Sequence, residues 1–282
     1  WSAYIQDDKI GSDYASENLA VFGNIDYAIA PQTTISLGMR WERWTSTYSD
    51  TLGEFFSPSD RMLGGKLSLR TELNEFANVY AAVARGYKSG GFNLGTGIQG
   101  VERLNDLIYD PEYLWNYEIG TSVLSSNSNL LIEAVVFWSD RENQQVLISK
   151  QLDPNNPTTF QYLTQNAASG KNYGTELNLR AKLTDEISLF AALGLLKTEI
   201  KHHQSRPELV GRRQAHAPAK SYSFGINWQA SEQFHLSMDL SGKSNFYYSD
   251  SHAEKSKPYT LVNLSLGYRQ KNWLYEVWVR NL

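Results

Sequence analysis

The sequence predicts an all-β fold, a transmembrane, antiparallel, up-and-down β-barrel. Three observations predict it. Apolar and polar residues alternate with a period of two through about thirteen segments of ten or more residues. The segments are joined alternately by turns of roughly two to six residues and by loops of roughly eleven to thirty. The polar parity is densely charged along each segment, whereas the strands of ordinary sandwiches run nearer five or six residues.

Composition bounds the rest. The 282 residues carry a formal net charge of -4, which argues against a general nucleic-acid binder. Cysteine is absent, so neither a disulfide framework nor a thiolate metal site is available. No run of about 18 apolar residues exists for a transmembrane helix, but a barrel strand needs only every second residue to face lipid. Trp1 opens the chain and no signal peptide is legible, so a piece of a longer protein is expected.

Each element follows from its alternation. Residues 17–30 set Leu19, Val21, Ile25, Tyr27 and Ile29 against Asn24 and Asp26, and Pro31-Gln32 turns the chain. Residues 33–47 set Ile35, Leu37, Met39 and Trp41 against Ser36, Arg40 and Glu42, before a polar loop with Gly53 and Pro58. Residues 61–73 oppose Leu63, Leu67 and Leu69 to Lys66, Ser68 and Arg70. VYAAVARGYK (79–88) runs into Ser89-Gly90-Gly91 and a long loop to about 112. Trp115, Tyr117, Ile119 and Val123 then oppose Asn116, Glu118 and Ser122, and SSNSN (125–129) is a tight turn.

Residues 130–142 follow, with Leu130, Ile132, Val136 and Trp138 on one face. The longest loop is expected at 143–172 and another at 199–220, separated by strands at about 173–183 and 187–198. Tyr222, Phe224, Ile226 and Trp228; Phe234, Leu236, Met238 and Leu240; Val262, Leu264, Leu266 and Tyr268; and Trp273, Tyr275, Val277 and Val279 mark the last four strands, with a loop at 247–257.

With lipid outside, Arg40, Glu42, Lys66, Arg70, Glu118, Arg180, Asp239 and Glu276 line the interior. Mixed charges in that number cannot fill a small dry barrel. They imply a wide, wet or plugged lumen, which belongs to barrels of about sixteen or more strands. Trp and Tyr near the ends of the apolar parity fit interfacial girdles.

At Arg85–Asn93, RGYKSGGFN, the chain resembles the C-terminal part of the β-barrel of TonB-dependent outer-membrane receptors. NLAVFGNIDYAI (18–29), YLWNYEIGTSV (113–123), NYGTELNLRAKLTDEISLFAALG (172–194) and YTLVNLSLGYRQKNWLYEVWVRNL (259–282) carry the same resemblance in family order. The resemblance implies that residues 1–282 form a partial barrel domain, about thirteen strands of a barrel of about 22. The N-terminal plug domain and the closing strand are expected outside the chain. It further implies TonB-coupled uptake of a scarce ligand, a ferric siderophore above all, across the outer membrane of a Gram-negative bacterium. The implied partners are TonB, reached through the plug region, an iron chelate or other small molecule, and outer-membrane lipid and lipopolysaccharide. No nucleic acid and no cofactor is implied.

The candidate ligand contacts are cations and aromatics of the loops. Arg85 and Lys88 stand near the extracellular end, beside a Gly90-Gly91 hinge expected to use positive φ to fold inward. Arg103, Arg206, Arg212 and Arg213, with Tyr109, Phe160, Tyr162, Tyr247 and Tyr248, suit an anionic aromatic chelate through charge attraction and stacking. His202-His203 is expected to be a solvated pair and no metal ligand, because neighbouring side chains on a strand point apart. Two binding or transport alternatives share the alternation: a passive porin-like channel and a soluble β-sandwich binding protein. An enzyme is not expected. His235, Ser237 and Asp239 share a parity, but i and i+2 side chains stand about 7 Å apart, too far for a nucleophile–base hydrogen bond.

Overall fold

The computed structural model describes residues 11–51, 53–93, 107–151, 155–156, 160–204, 206–250 and 252–282. Nearly all of them lie in one antiparallel sheet. Its strands are β1 (Ser12–Ala30), β2 (Thr33–Asp50), β4 (Ser59–Asn74), β5 (Ala77–Lys88), β8 (Glu112–Leu124) and β9 (Leu130–Gln151). They continue with β10 (Phe160–Lys182), β11 (Ile187–His203), β12 (Lys220–Gln229), β13 (Phe234–Lys243), β14 (Tyr259–Gln270) and β15 (Trp273–Val279). Each pairs only with its sequence neighbours, which is a meander. The two-residue β3 (Phe55–Phe56) adds to β2 as the thirteenth strand, and β6 (Gly91–Phe92) pairs with β7 (Ile108–Tyr109) as a separate ribbon. The barrel is not closed: β1 and β15 are the two edges of the sheet.

Short turns gather at one end, each fixed by a side-chain oxygen or a turn-forming residue. Asn74 Oδ1 accepts from the Phe76 N–H at 2.8 Å, and Ser125 Oγ accepts from the Leu130 N–H at 2.9 Å. Thr184 Oγ1 accepts from the Glu186 and Ile187 N–H groups at 3.1 Å. Lys271 adopts φ 52° between β14 and β15.

The exposure pattern inverts that of a soluble sheet. Leu19, Val21, Ile25 and Val136 are 63–66% exposed, whereas Glu42 on the opposite face is 8% exposed. Paired residues keep the parity across strands, as Val21 faces Trp41 and Leu37 faces Leu67. Among the described residues no helix is long and apolar enough to cross a membrane. The apolar sheet face meets that need, because strand pairing satisfies its backbone groups everywhere but along the outer edges of β1 and β15.

The expected loop at 143–172 is corrected. β9 and β10 continue through it, paired from Phe160 opposite Gln151 down to Ala181 opposite Leu130. β11 likewise runs on to His203. A strand of 22 residues rises about 3.3 Å per residue, so β9 reaches far beyond the roughly 9–11 residues that span hydrocarbon. The overhanging part has no lipid face, and β-bulges at Asn166/Ala168 and Ala168/Gly170 break its alternation.

Placing a charge on each face tests this assignment. Leu67→Arg should destabilise the protein by about 2–4 kcal/mol, whereas Ser68→Arg, on the polar face, should change stability little. Urea unfolding in liposomes reads both variants, and equal effects of the two would reverse the inside–outside assignment.

Candidate functional site: the long-loop end

The polar face is internally paired. Buried Glu42 accepts from Asn18 Nδ2 at 2.6 Å, Arg40 Nε at 2.7 Å and the Tyr87 hydroxyl at 2.8 Å. Glu112 pairs with Arg141 across β8 and β9 and accepts the Gln145 N–H at 2.9 Å. Lys66 and Glu118 stand 3.6 Å apart, and Asp239 accepts from Asn263 Nδ2 at 2.7 Å. Charges satisfied in this way carry a lower desolvation penalty on a partly enclosed wall. Ser237 bonds Ser265 at 2.8 Å and the His235 ring covers Gly267, so neither bonds the other.

Above this face the chain leaving β5 builds a first cluster. Gly90 and Gly91 do not take positive φ, which corrects the expected reason for the hinge. The reason is space. A Cβ on Gly90 would lie 2.6 Å from Asp60 Oδ2 and against the Tyr109 carbonyl, and one on Gly91 would lie 2.5 Å from the Tyr109 hydroxyl. Close passage lets Phe92 pack among Tyr14, Tyr48 and Phe56, with ring centroids 6.0, 5.6 and 5.5 Å away. Leu107 and Leu163 complete this small apolar core.

Amide side chains then fix the loop. Asn93 Nδ2 donates to the Thr164 carbonyl at 2.9 Å, and Asn93 Oδ1 accepts from the Thr164 N–H at 2.7 Å. Asn166 does the same for Asp110, at 2.8 and 2.6 Å.

A second cluster joins the β11–β12 and β13–β14 loops around Tyr247. Arg212 stacks 3.7 Å from the centre of the Tyr247 ring, Lys255 lies 4.4 Å from it and Arg213 lies 5.9 Å from it. Arg212 donates to the Ser249 and His252 carbonyls, each at 2.7 Å, and Arg206 donates to the Asp250 carbonyl at 2.6 Å. Arg213 reaches Asn245 Oδ1 at 3.2 Å. A hydrogen bond from Lys255, then the surrounding positive charge, lowers the Tyr247 phenol below its ordinary value. His203, the last residue of β11, is buried, with Nδ1 lacking a hydrogen-bond partner among the described residues. Burial lowers its pKa, and Arg206 adds to the fall while Asp250 opposes it.

The candidate ligand residues therefore divide. Arg206, Arg212, Arg213 and Tyr247 come together. Tyr109 lies in the first cluster, and Tyr162 projects from β10 at 65% exposure. Lys88 pairs opposite Glu112 at the top of β5. Arg85 sits elsewhere, opposite Trp115 and 4.0 Å over the Tyr113 ring, on the apolar face with Tyr117 and Ile119. Arg103 and the Phe160 side chain lie outside the described residues. Of the adjacent histidines, His203 is buried and His202 exposed. The residues missed were Asn93, which lay inside the quoted motif, and Lys255, whose signal was its place in an aromatic loop.

One lipid-facing side, one charged side, short turns at one end and built loops at the other define a wall segment of an outer-membrane β-barrel. The chain belongs to the TonB-dependent receptors: residues 3–282 match the family model described as "TonB dependent receptor-like, beta-barrel". This is a family of transport receptors and not of enzymes. It is 24% identical over 194 residues to the "Probable TonB-dependent siderophore receptor PiuA" of Acinetobacter baumannii, covering 67% of this chain and 25% of that protein. The fold matches the ferric yersiniabactin uptake receptor FyuA of Yersinia pestis with a TM-score of 0.79 at 18% identity, over 97% of this chain and 41% of that one. The solved siderophore receptor PiuA of Acinetobacter baumannii matches with a TM-score of 0.79 at 18% identity, over 96% and 39%. The chain thus spans well under half the length of each of these relatives.

Two titrations test the second cluster. Tyr247 is expected to ionise below the ordinary tyrosine value of 10.0, and Lys255→Met to move it upward; ultraviolet difference spectra measure both. Because His203 is held neutral by burial, its contribution to stability is present above its ordinary value of 6.5 and lost as pH falls through the lower folded value. Hydrogen exchange in 206–219 should therefore quicken on acidification in the native receptor and lose that pH dependence in His203→Gln. An identical pH profile in the two proteins would count against the assignment.

Proposed function

We propose that this chain is part of the barrel of an outer-membrane receptor that takes up a ferric siderophore by TonB-coupled active transport. The observation that carries the reading is the set of cations around Tyr247, within a chain of this family. Ferric chelates are commonly anionic and often aromatic, and an arginine–tyrosine stack beside the Lys255 ammonium group attracts charge and offers a face. Arg213, Tyr247 and Lys255 are the proposed contacts, and Arg206 and Arg212 hold their two loops together. Lys88, Tyr109 and Tyr162 stand at the first cluster as a second flank. The printed names of the relatives, a siderophore receptor and a ferric yersiniabactin uptake receptor, support the ligand class.

The two unpaired sheet edges support a larger wall of about 22 strands, to which further chain contributes. The plug domain and the contact with TonB belong to that further chain, and outer-membrane lipid surrounds the apolar face.

Deleting the complete gene and growing cells on a panel of ferric catecholates, hydroxamates and citrate, with cobalamin beside them, tests the proposal. Growth should fail on at least one ferric chelate. The wild-type gene should restore it, and Arg213→Ala/Lys255→Ala should restore it poorly. Unaltered growth on every ferric chelate would overturn the ligand class. Uptake that persists without TonB would overturn the coupling in favour of a passive channel.

A further inference from the structure

The cations of the polar face are of two kinds. On the β2, β4 and β9 side each lies on a carboxylate: Arg40 on Glu42, Lys66 on Glu118, Arg70 on Glu72 and Arg141 on Glu112. Lys243, the last residue of β13, differs. It shares the parity of Ser237, Asp239 and Ser241, and among the described residues its ammonium group has neither an ion pair nor a hydrogen bond. Ser221 of β12 and Tyr259 of β14 stand directly opposite it on its two sides. With Ala192, Ser223 and Ser241 these residues line a groove of about 360 Å³ in the lumen wall. The groove begins just inside the loop cluster, because Asn245, two residues beyond Lys243, accepts from Arg213 at 3.2 Å. At Ala192 it meets a second groove of about 1160 Å³. That one passes Ser237 and Ser265 toward Arg180 near the short turns, another cation without an ion pair among the described residues.

A carboxylate a few ångströms away cancels most of the field of Arg40 or Lys66, whereas Lys243 projects its charge into the groove. Passage through a pore needs sites that draw a solute in and, arranged in series, are weak enough to release it. Arg213, Lys255 and Tyr247 supply a strong site at the mouth. One lysine beside small hydroxyl groups supplies a weaker site further in. We propose that Lys243 is a charge-selecting station on the inward route of the cargo, that the route runs down the β11–β14 side of the lumen, and that the station draws anions in and turns cations away. Tyr259 gives it a ring face, the same pairing of cation and aromatic as at the mouth. The proposal rests on the uptake reading for the nature of the cargo. The sign of the selection follows from Lys243 alone.

Two thiol reagents of similar size and opposite charge, the sulfonatoethyl and trimethylammonioethyl methanethiosulfonates, test it without any chelate. The full-length receptor carrying Ser221→Cys, opposite Lys243, is treated in living, TonB-competent cells, and peptide mass spectrometry reads modification at that site. Each rate is taken relative to that of the same reagent with free mercaptoethanol. On that scale the anionic reagent should react about tenfold faster than the cationic one, since a unit charge about 5 Å away in water acts with opposite sign on the two. Lys243→Gln should bring the relative rates together. Ser68→Cys, on the wall where Lys66 and Arg70 are paired, should show no preference. Equal relative rates at Ser221→Cys, or a preference that survives Lys243→Gln, would overturn the station. No reaction there with either reagent, or an equal anion preference at Ser68→Cys, would overturn the route. Unaltered growth of the deletion strain on every ferric chelate, with the preference intact, would sink the chelate reading and leave the station standing.

Discussion

A chain that crosses hydrocarbon has no water to satisfy its peptide groups, and here the whole burden falls on the next strand. Each described long strand is paired along nearly its whole spanning length with a sequence neighbour, and that requirement dictates the meander. Once the backbone is bonded sideways, side chains alternate between two unlike environments. The sheet therefore tolerates Leu, Val and Ile at high exposure on one face and clusters its carboxylates on the other. A bonded strand can also continue past the membrane at little cost, as β9 and β10 do.

The polar face shows what a wet interior asks of charges. Glu42 is buried, yet three donors from β1, β2 and β5 meet it. The loops above follow the same logic with weaker means. Arg206 and Arg212 spend donors on carbonyls of the neighbouring loop, so two loops form one body. What remains directed outward is Tyr247 with Arg213 and Lys255.

Most of the wall was legible in the sequence, because a period of two over ten residues leaves few alternatives, and the short turns announced themselves by Asn, Ser, Thr and Pro. The overhangs were not legible. Above the membrane neither face meets lipid, so Val146 and Ile148 alternate with nothing consistent, and two bulges reverse the parity again. The site was half legible. Arg206, Arg212, Arg213 and Tyr247 were visible as residue types, but only packing shows which donors are taken. Arg85 read as a loop-end cation and lies on the lipid side, since one position of register decides the face.

Asn93 has a further consequence, for association between molecules. β11 ends opposite Ala168, so among the described residues no strand pairs with that edge of the upper part of β10. An exposed edge of that kind is a template for another chain to add to. The carboxamide of Asn93 occupies both peptide groups of Thr164, and Asn166 directs its own carboxamide toward Asp110. A side-chain amide here imitates the missing strand and blunts the edge against sticking to its own kind. In a crowded membrane packed with like sheets, the last residue of RGYKSGGFN is an anti-aggregation guard.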